Sequence, residues 1–175
     1  MPTQHLQRTL RKDKIYLVGF MASGKTTAAR ALSQRLGWRA EDIDERIEAL
    51  ERMTVADIFA TRGEPYFRAI ERDVLRSLLP PHHLVVATGG GTFVDAENRA
   101  AINDDGVSIW LDVPFEEILE RLPADGRRPL ASSRVEMAAL YAARRGAYQQ
   151  AHLRLDGSRA PAEELIERML DWLGY

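Results

Sequence analysis

The chain has 175 residues, 45% of them hydrophobic and 29% charged, and a net charge of −2; this is the make-up of one globular domain with room for a substantial core. It carries no overall basic field that would gather nucleic acid, and the absence of cysteine excludes disulfides and thiolate metal sites. No apolar run approaches the roughly 20 residues that span a bilayer, so a cytoplasmic protein without membrane contact is expected.

The opening residues, MPTQHLQRTLRKDK, are polar and basic and lack the apolar centre of a secretory signal. Residues 1–13 are expected to be a disordered tail, and 14–175 a single domain. KIYLVGF then predicts a buried strand, and TTAARALSQRLG a helix closed by Gly37. WRAEDID predicts a short strand, followed by helices over 45–51, 55–61 and 65–79. HLVVAT is a strand, and a helix is expected from about Asp95. VSIWLD is a strand, and PFEEILERL a helix with proline at its start. PADGRRPLASS has no apolar period and predicts a mobile loop; a helix follows over 135–150. HLRLD is a last strand and APAEELIERMLDWL a closing helix. Strands alternating with helices across one domain imply a parallel sheet covered on both faces.

Between the first strand and first helix stands GFMASGKTT, the pattern G-x-x-x-x-G-K-[ST] in a strand–loop–helix setting. In such a loop Gly19, Ala22, Ser23, Gly24 and Thr27 supply backbone around the phosphates of a nucleotide. Lys25 reaches the β and γ oxygens, and the Thr26 hydroxyl binds Mg²⁺. The Ala22 methyl sits where many such loops carry glycine, and it is awkward only if the backbone there needs a positive φ. The loop marks a nucleoside triphosphate site shared by GTPases, motor ATPases and small-molecule kinases. The guanine-reading [NT]-K-x-D pattern is missing, and the chain is short for a motor ATPase.

In EDIDE, Asp42 and Asp44 are two apart, so in extended backbone they point to one side, where one would hold Mg²⁺ through water and the other accept a hydroxyl proton. Asp44 serves equally well as the N-cap of the helix that follows. Asp112, closing the apolar VSIWLD, is a competing metal acid or a cap for the next helix. In GEPYFRAIERD, Arg68 and Glu71 are i, i+3 neighbours: either a carboxylate-fixed arginine that presents its remaining donors to an anionic substrate, or a surface pair. Arg127 and Arg128 lie in the loop predicted to be mobile, and Arg144, Arg145 and Tyr148 on the 135–150 helix, where a solvated face is the plain alternative. Arg145, about 100° round from Arg144, is expected to point away from any site there. The histidines show no metal-ligand spacing. The run Gly89, Gly90, Gly91 leaves backbone without side chains, against which a ligand ring is expected to lie.

GFMASGKTT, DID, ADIFATRGEPYFRAIE, TGGGTF, RRPL and RRGAY, in this order, make the chain resemble the shikimate kinases from Lys14 to the final helix. The resemblance implies an α/β fold of the nucleoside-monophosphate-kinase type: a P-loop three-layer sandwich whose five-stranded parallel sheet runs 2-3-1-4-5, with helices on both faces and a mobile lid at about 122–135. It implies transfer of the γ-phosphoryl group of ATP, with Mg²⁺, to the 3-hydroxyl of shikimate, by a monomer. It assigns Asp42 to the Mg²⁺ water shell and Asp44 to the substrate hydroxyls and the role of base. Arg68 and Arg144 would clamp the substrate carboxylate, Gly89, Gly90 and Gly91 line it, Arg128 serve as lid arginine, and Arg121 and Arg159 contact adenine. The chain departs from the family pattern at Ala40, Ile43, Ala131 and Gly146. Another kinase of this fold, for gluconate or a nucleoside monophosphate, is an alternative. A non-catalytic nucleotide-binding module is another, and the intact Lys25, Thr26, Asp42 and Asp44 speak against it.

Overall fold

The central strand β1 (Lys14–Val18) is buried along its whole length, as are β3 (Leu84–Ala87) and β4 (Val107–Asp112). Such continuous runs suit strands covered on both faces, whereas β2 (Arg39–Asp42) and β5 (Leu153–Asp156) are partly exposed and stand at the edges. The computed structural model describes residues 13–122 and 133–175. Its sheet has the order β2-β3-β1-β4-β5 with every pairing parallel, the order the family resemblance implies.

Strand alternation divides the core in two. Ile15 and Leu17 join Val85, Ile109 and Leu111 beneath α1 (Lys25–Leu36) and α8 (Ala162–Leu173). Helix α8 buries Leu165, Ile166, Met169, Leu170 and Leu173, the spacing of one helical face. Tyr16 and Val18 join Val86 and Trp110 on the other side. That layer holds α2 (Ile43–Glu51), α3 (Val55–Arg62), α4 (Glu64–Ser77), α5 (Ala96–Asp105), α6 (Phe115–Arg121) and α7 (Arg134–Tyr148). Side-chain caps start several of these helices: Thr54 accepts from the Asp57 N–H, Asp95 from those of Glu97 and Asn98, and Ser133 from that of Glu136.

One boundary differs from expectation. The second strand stops at Asp42 rather than running on through Asp44, because the Asp42 carboxylate accepts the Glu45 N–H and caps α2. Asp42 is thus the cap, not Asp44, and Asp44 sits in the first helical turn. The sheet delivers the phosphate loop (19–24), Asp42, the glycine run (89–91) and Asp112 to the carboxyl ends of β1, β2, β3 and β4, the edge where open α/β sheets bind ligands.

Candidate active site

The phosphate loop turns sharply as it leaves β1. Gly19 has φ 147°, and a Cβ there would stand 2.8 Å from the Leu111 carbonyl oxygen. Ala22 does adopt the left-handed conformation, φ 58°, so its methyl carries a cost of about 1–2 kcal/mol. The Lys25 ammonium donates to the carbonyls of Gly19 at 2.9 Å and Phe20 at 2.7 Å. Burial pulls it down to about 8, with Arg144 adding to the fall and Asp44 and Asp42 opposing it. Thr26 donates its hydroxyl to Asp42 Oδ2 at 2.5 Å. These are hard oxygen donors from two elements, few in number, which fits Mg²⁺, an ion that keeps most of its water and takes one or two protein ligands.

Two cavities meet at this edge. One, of about 440 Å³, is lined by the loop from Met21 to Thr27 and by Asp42, Asp44 and Gly90. The other, of about 160 Å³, is lined by Arg68, Glu71, Arg144 and the three glycines, with Val55, Phe59 and Leu122 as an apolar wall. Met21, Asp44 and Gly90 belong to both. Asp44 Oδ1 is buried and has no hydrogen-bond partner among the described residues. Burial, then the negative charges of Asp42 and Glu71, push this carboxyl up to about 7, while Lys25 pulls against them. A buried acceptor without a donor is costly unless a ligand supplies one.

The glycine run is bare because the site's own side chains occupy the space. A Cβ on Gly89 would stand 2.8 Å from Asp44 Oδ1, one on Gly90 would stand 3.0 Å from Arg144 Nη1, and one on Gly91 would overlap the Arg68 guanidinium. Glu71, fully buried, accepts from Arg68 Nη1 at 2.9 Å and from the Thr92 hydroxyl at 2.9 Å, and Thr92 in turn accepts the Gly89 N–H. The Arg68–Glu71 pair is therefore part of the cavity and not a surface pair. Thr92, the residue directly after the glycine run, links Glu71 to the glycine backbone.

Arg144 and Tyr148 are buried, which overturns the solvated-face alternative for α7. No carboxylate pairs with Arg144 among the described residues, and burial together with the like charge of Arg68 lowers its affinity for its proton. Arg145 does turn away, and it pairs with Asp112 at 2.8 Å. Arg154 takes the other Asp112 oxygen at 2.5 Å. Asp112 is thus neither a free metal acid nor a helix cap; Pro114 occupies the cap position of α6. Arg121 reaches the Ala22 carbonyl at 3.5 Å, above the phosphate loop, and pairs with Glu117 at 3.2 Å. Glu117 also accepts the Arg159 N–H at 3.2 Å, so a carboxylate that sequence reading passed over gathers both arginines assigned to adenine; its i, i+4 spacing from Arg121 was the available signal. Arg127, Arg128 and Ala131 lie outside the described residues with most of the expected lid, as do residues 1–12 of the expected tail; the tail's last residue, Asp13, accepts the His83 N–H at 2.8 Å.

Comparison with known proteins follows the same lines. A family model described as shikimate kinase matches residues 21–174. A shikimate kinase of Persephonella marina is 40% identical over 157 residues, covering 89% of this chain and 96% of the relative. Among solved structures, shikimate kinase from Acinetobacter baumannii in complex with shikimate aligns with a TM-score of 0.88 and 33% identity over 95% of this chain and 96% of that one. The Aquifex aeolicus shikimate kinase aligns with a TM-score of 0.80 and 34% identity over 91% and 95%.

Proposed function

The chain belongs to the shikimate kinase family and transfers the γ-phosphoryl group of ATP to the 3-hydroxyl of shikimate; on that premise we propose how its residues divide the work. Arg68 and Arg144 bind the substrate carboxylate from two helices, each with charge-assisted hydrogen bonds. The ring lies between the glycine run and the wall of Val55, Phe59 and Leu122, which excludes water from the reacting face. Asp44 Oδ1 receives the hydrogen bond of the reacting hydroxyl. As that oxygen bonds to the γ-phosphorus and the bond from phosphorus to the ADP oxygen breaks, the proton passes to Asp44.

On the nucleotide side, the loop from Gly19 to Thr27 wraps the phosphates, and Lys25 leaves its two carbonyl partners to meet the β and γ oxygens. Mg²⁺ held at Thr26 and through water at Asp42 would neutralise charge on those oxygens. Arg121 and Arg159 contact the adenine, and Arg128 serves the transferring group. The reading includes action as a monomer in the cytoplasm.

The observation that carries this division is the buried, unpartnered Asp44 oxygen at the junction of the two cavities, with guanidinium groups on one side and the phosphate loop on the other. The test is ADP release from ATP and Mg²⁺ with shikimate, gluconate, AMP or no acceptor. Release that depends on shikimate alone is expected. Equal release with gluconate, which also carries a carboxylate, would leave the clamp and overturn the choice of shikimate as acceptor, and release without any acceptor would remove the coupling at Asp44.

A further inference from the structure

Asp112 ends β4 at the same edge as the phosphate loop and is nearly buried, yet both of its oxygens face arginines and neither faces a cavity of the site. We propose that Asp112 is a positioning residue for substrate binding: through Arg145 it sets the rotation of α7 and so aims Arg144 at the shikimate carboxylate. This rests on Arg144 being a carboxylate ligand.

Helix α7 presents two rows of side chains, each one turn long. Arg144 and Tyr148 form the first. Tyr148 donates its hydroxyl to the Gly90 carbonyl at 2.5 Å, and the Arg144 guanidinium stands against Gly90. Tyr141 and Arg145 form the second, about 60° and 100° round from Arg144. Arg145 donates to Asp112 at 2.8 Å and to the Tyr141 hydroxyl at 2.9 Å, and Tyr141 donates to the Val113 carbonyl at 2.7 Å. The first row touches the ligand side; the second fastens the helix to the end of β4.

Arg144 needs that fastening. It has no carboxylate of its own among the described residues, it is buried, and Arg68 repels it. Tyr148, Gly90 and the face of the Phe20 ring at 5.8 Å stand against it, and the Glu64 carboxylate attracts it without pairing. Gly146, on the exposed side of α7 away from both rows, has open space around it and is the residue in α7 that holds a helix least well. The anchor is rigid by contrast. Arg154 on β5 grips Asp112 from the other side, and the guanidinium groups of Arg145 and Arg154 lie over the Trp110 ring at 4.9 and 5.1 Å. The charge network is thus built between strands and one helix row, and its output is the direction of the adjacent row.

The experiment is a double-variant cycle on the whole protein, reading shikimate KM and kcat with ATP saturating. Asp112→Asn is expected to raise shikimate KM roughly three- to thirtyfold, since a misplacement of about 1 Å is able to cost up to about a hundredfold. Its kcat should stay within about threefold. Arg144→Ala should raise KM about ten- to a hundredfold. The double variant should be no worse in KM than Arg144→Ala alone, because Asp112 acts through Arg144. Arg145→Gln taken through the same cycle should repeat the pattern, and it decides the matter if Asp112→Asn does not fold. A KM rise that persists in full on top of Arg144→Ala overturns the inference, as does a loss of kcat with KM unchanged, the mark of a merely structural role. If Arg144→Ala itself leaves KM unchanged, the clamp is wrong and the positioning role falls with it; if only Arg144→Ala raises KM, the clamp stands and the positioning role alone is refuted.

Discussion

Two lysines are buried at opposite edges of the sheet, and their surroundings differ. At the amino edge, Lys14 donates to the carbonyls of Leu78 and Leu79 and pairs with Asp105 at 2.8 Å. The Tyr16 hydroxyl donates to the same Asp105 oxygen at 2.5 Å, and burial and that carboxylate push the phenol up. Lys14 closes off carbonyls at the end of α4, and Asp105 is the last residue of α5, so the cluster ties two helix ends to β1. At the carboxyl edge Lys25 has carbonyls and no paired carboxylate among the described residues, Arg144 has none either, and Asp44 has no donor. Polar groups buried for structure consume one another. Polar groups buried for chemistry keep bonding capacity that a ligand completes, and the strain shows as a lysine pulled down to about 8 beside a carboxyl pushed up to about 7.

Removing each lysine separates the two regions. Lys25→Ala should lower kcat by at least about 10³-fold, because its charge serves the β and γ oxygens, while the unfolding midpoint should move little. Lys14→Ala should do the reverse: leaving the partly buried Asp105 with the Tyr16 hydroxyl but no cation costs about 1–3 kcal/mol, while kcat per folded molecule stays near that of the native chain. Thermal unfolding and active-site-normalised turnover measure both. A large loss of turnover in well-folded Lys14→Ala would erase the contrast between the two edges.

A smaller effect is expected at Gly146. Nothing lies within 4 Å of a Cβ built there, and the residue is inside α7. Gly146→Ala should therefore stabilise the protein by about 0.5–1 kcal/mol through helix propensity. A destabilised Gly146→Ala in chemical unfolding would mean that α7 needs the freedom of glycine, against its role as a rigid carrier of Arg144.

Much of this was legible in the sequence, for identifiable reasons. The phosphate loop was readable because its glycines, lysine and threonine act within one short stretch. Strand–helix alternation was enough for a parallel sheet, and its order came from the family resemblance alone. The bare glycine run was readable as a close approach, although the approach is first of all that of Asp44, Arg144 and Arg68, which sequence places 45, 54 and 23 residues away by position number. What stayed hidden depends on which partner a charge finds across the fold. Asp112 and Arg145 are 33 positions apart, and nothing local distinguishes a metal acid from an acid held by two arginines. The end of β2 was misplaced for the opposite reason, an effect too local for pattern: one carboxylate turned back onto the Glu45 N–H converts strand to helix within a residue.

The central claim is that Asp44, left without a partner, takes the proton of the substrate hydroxyl. Its most direct test is kcat of Asp44→Asn at saturating ATP and shikimate across the pH range. In the native chain the base must be deprotonated, so the rate should rise with pH as Asp44, raised to about 7 in the free protein, loses its proton. Asp44→Asn should lose about 10²–10⁴-fold in kcat and, with it, the rise through neutrality, while still binding nucleotide. An Asp44→Asn enzyme that keeps kcat within about threefold and retains the same acidic limb would contradict the account.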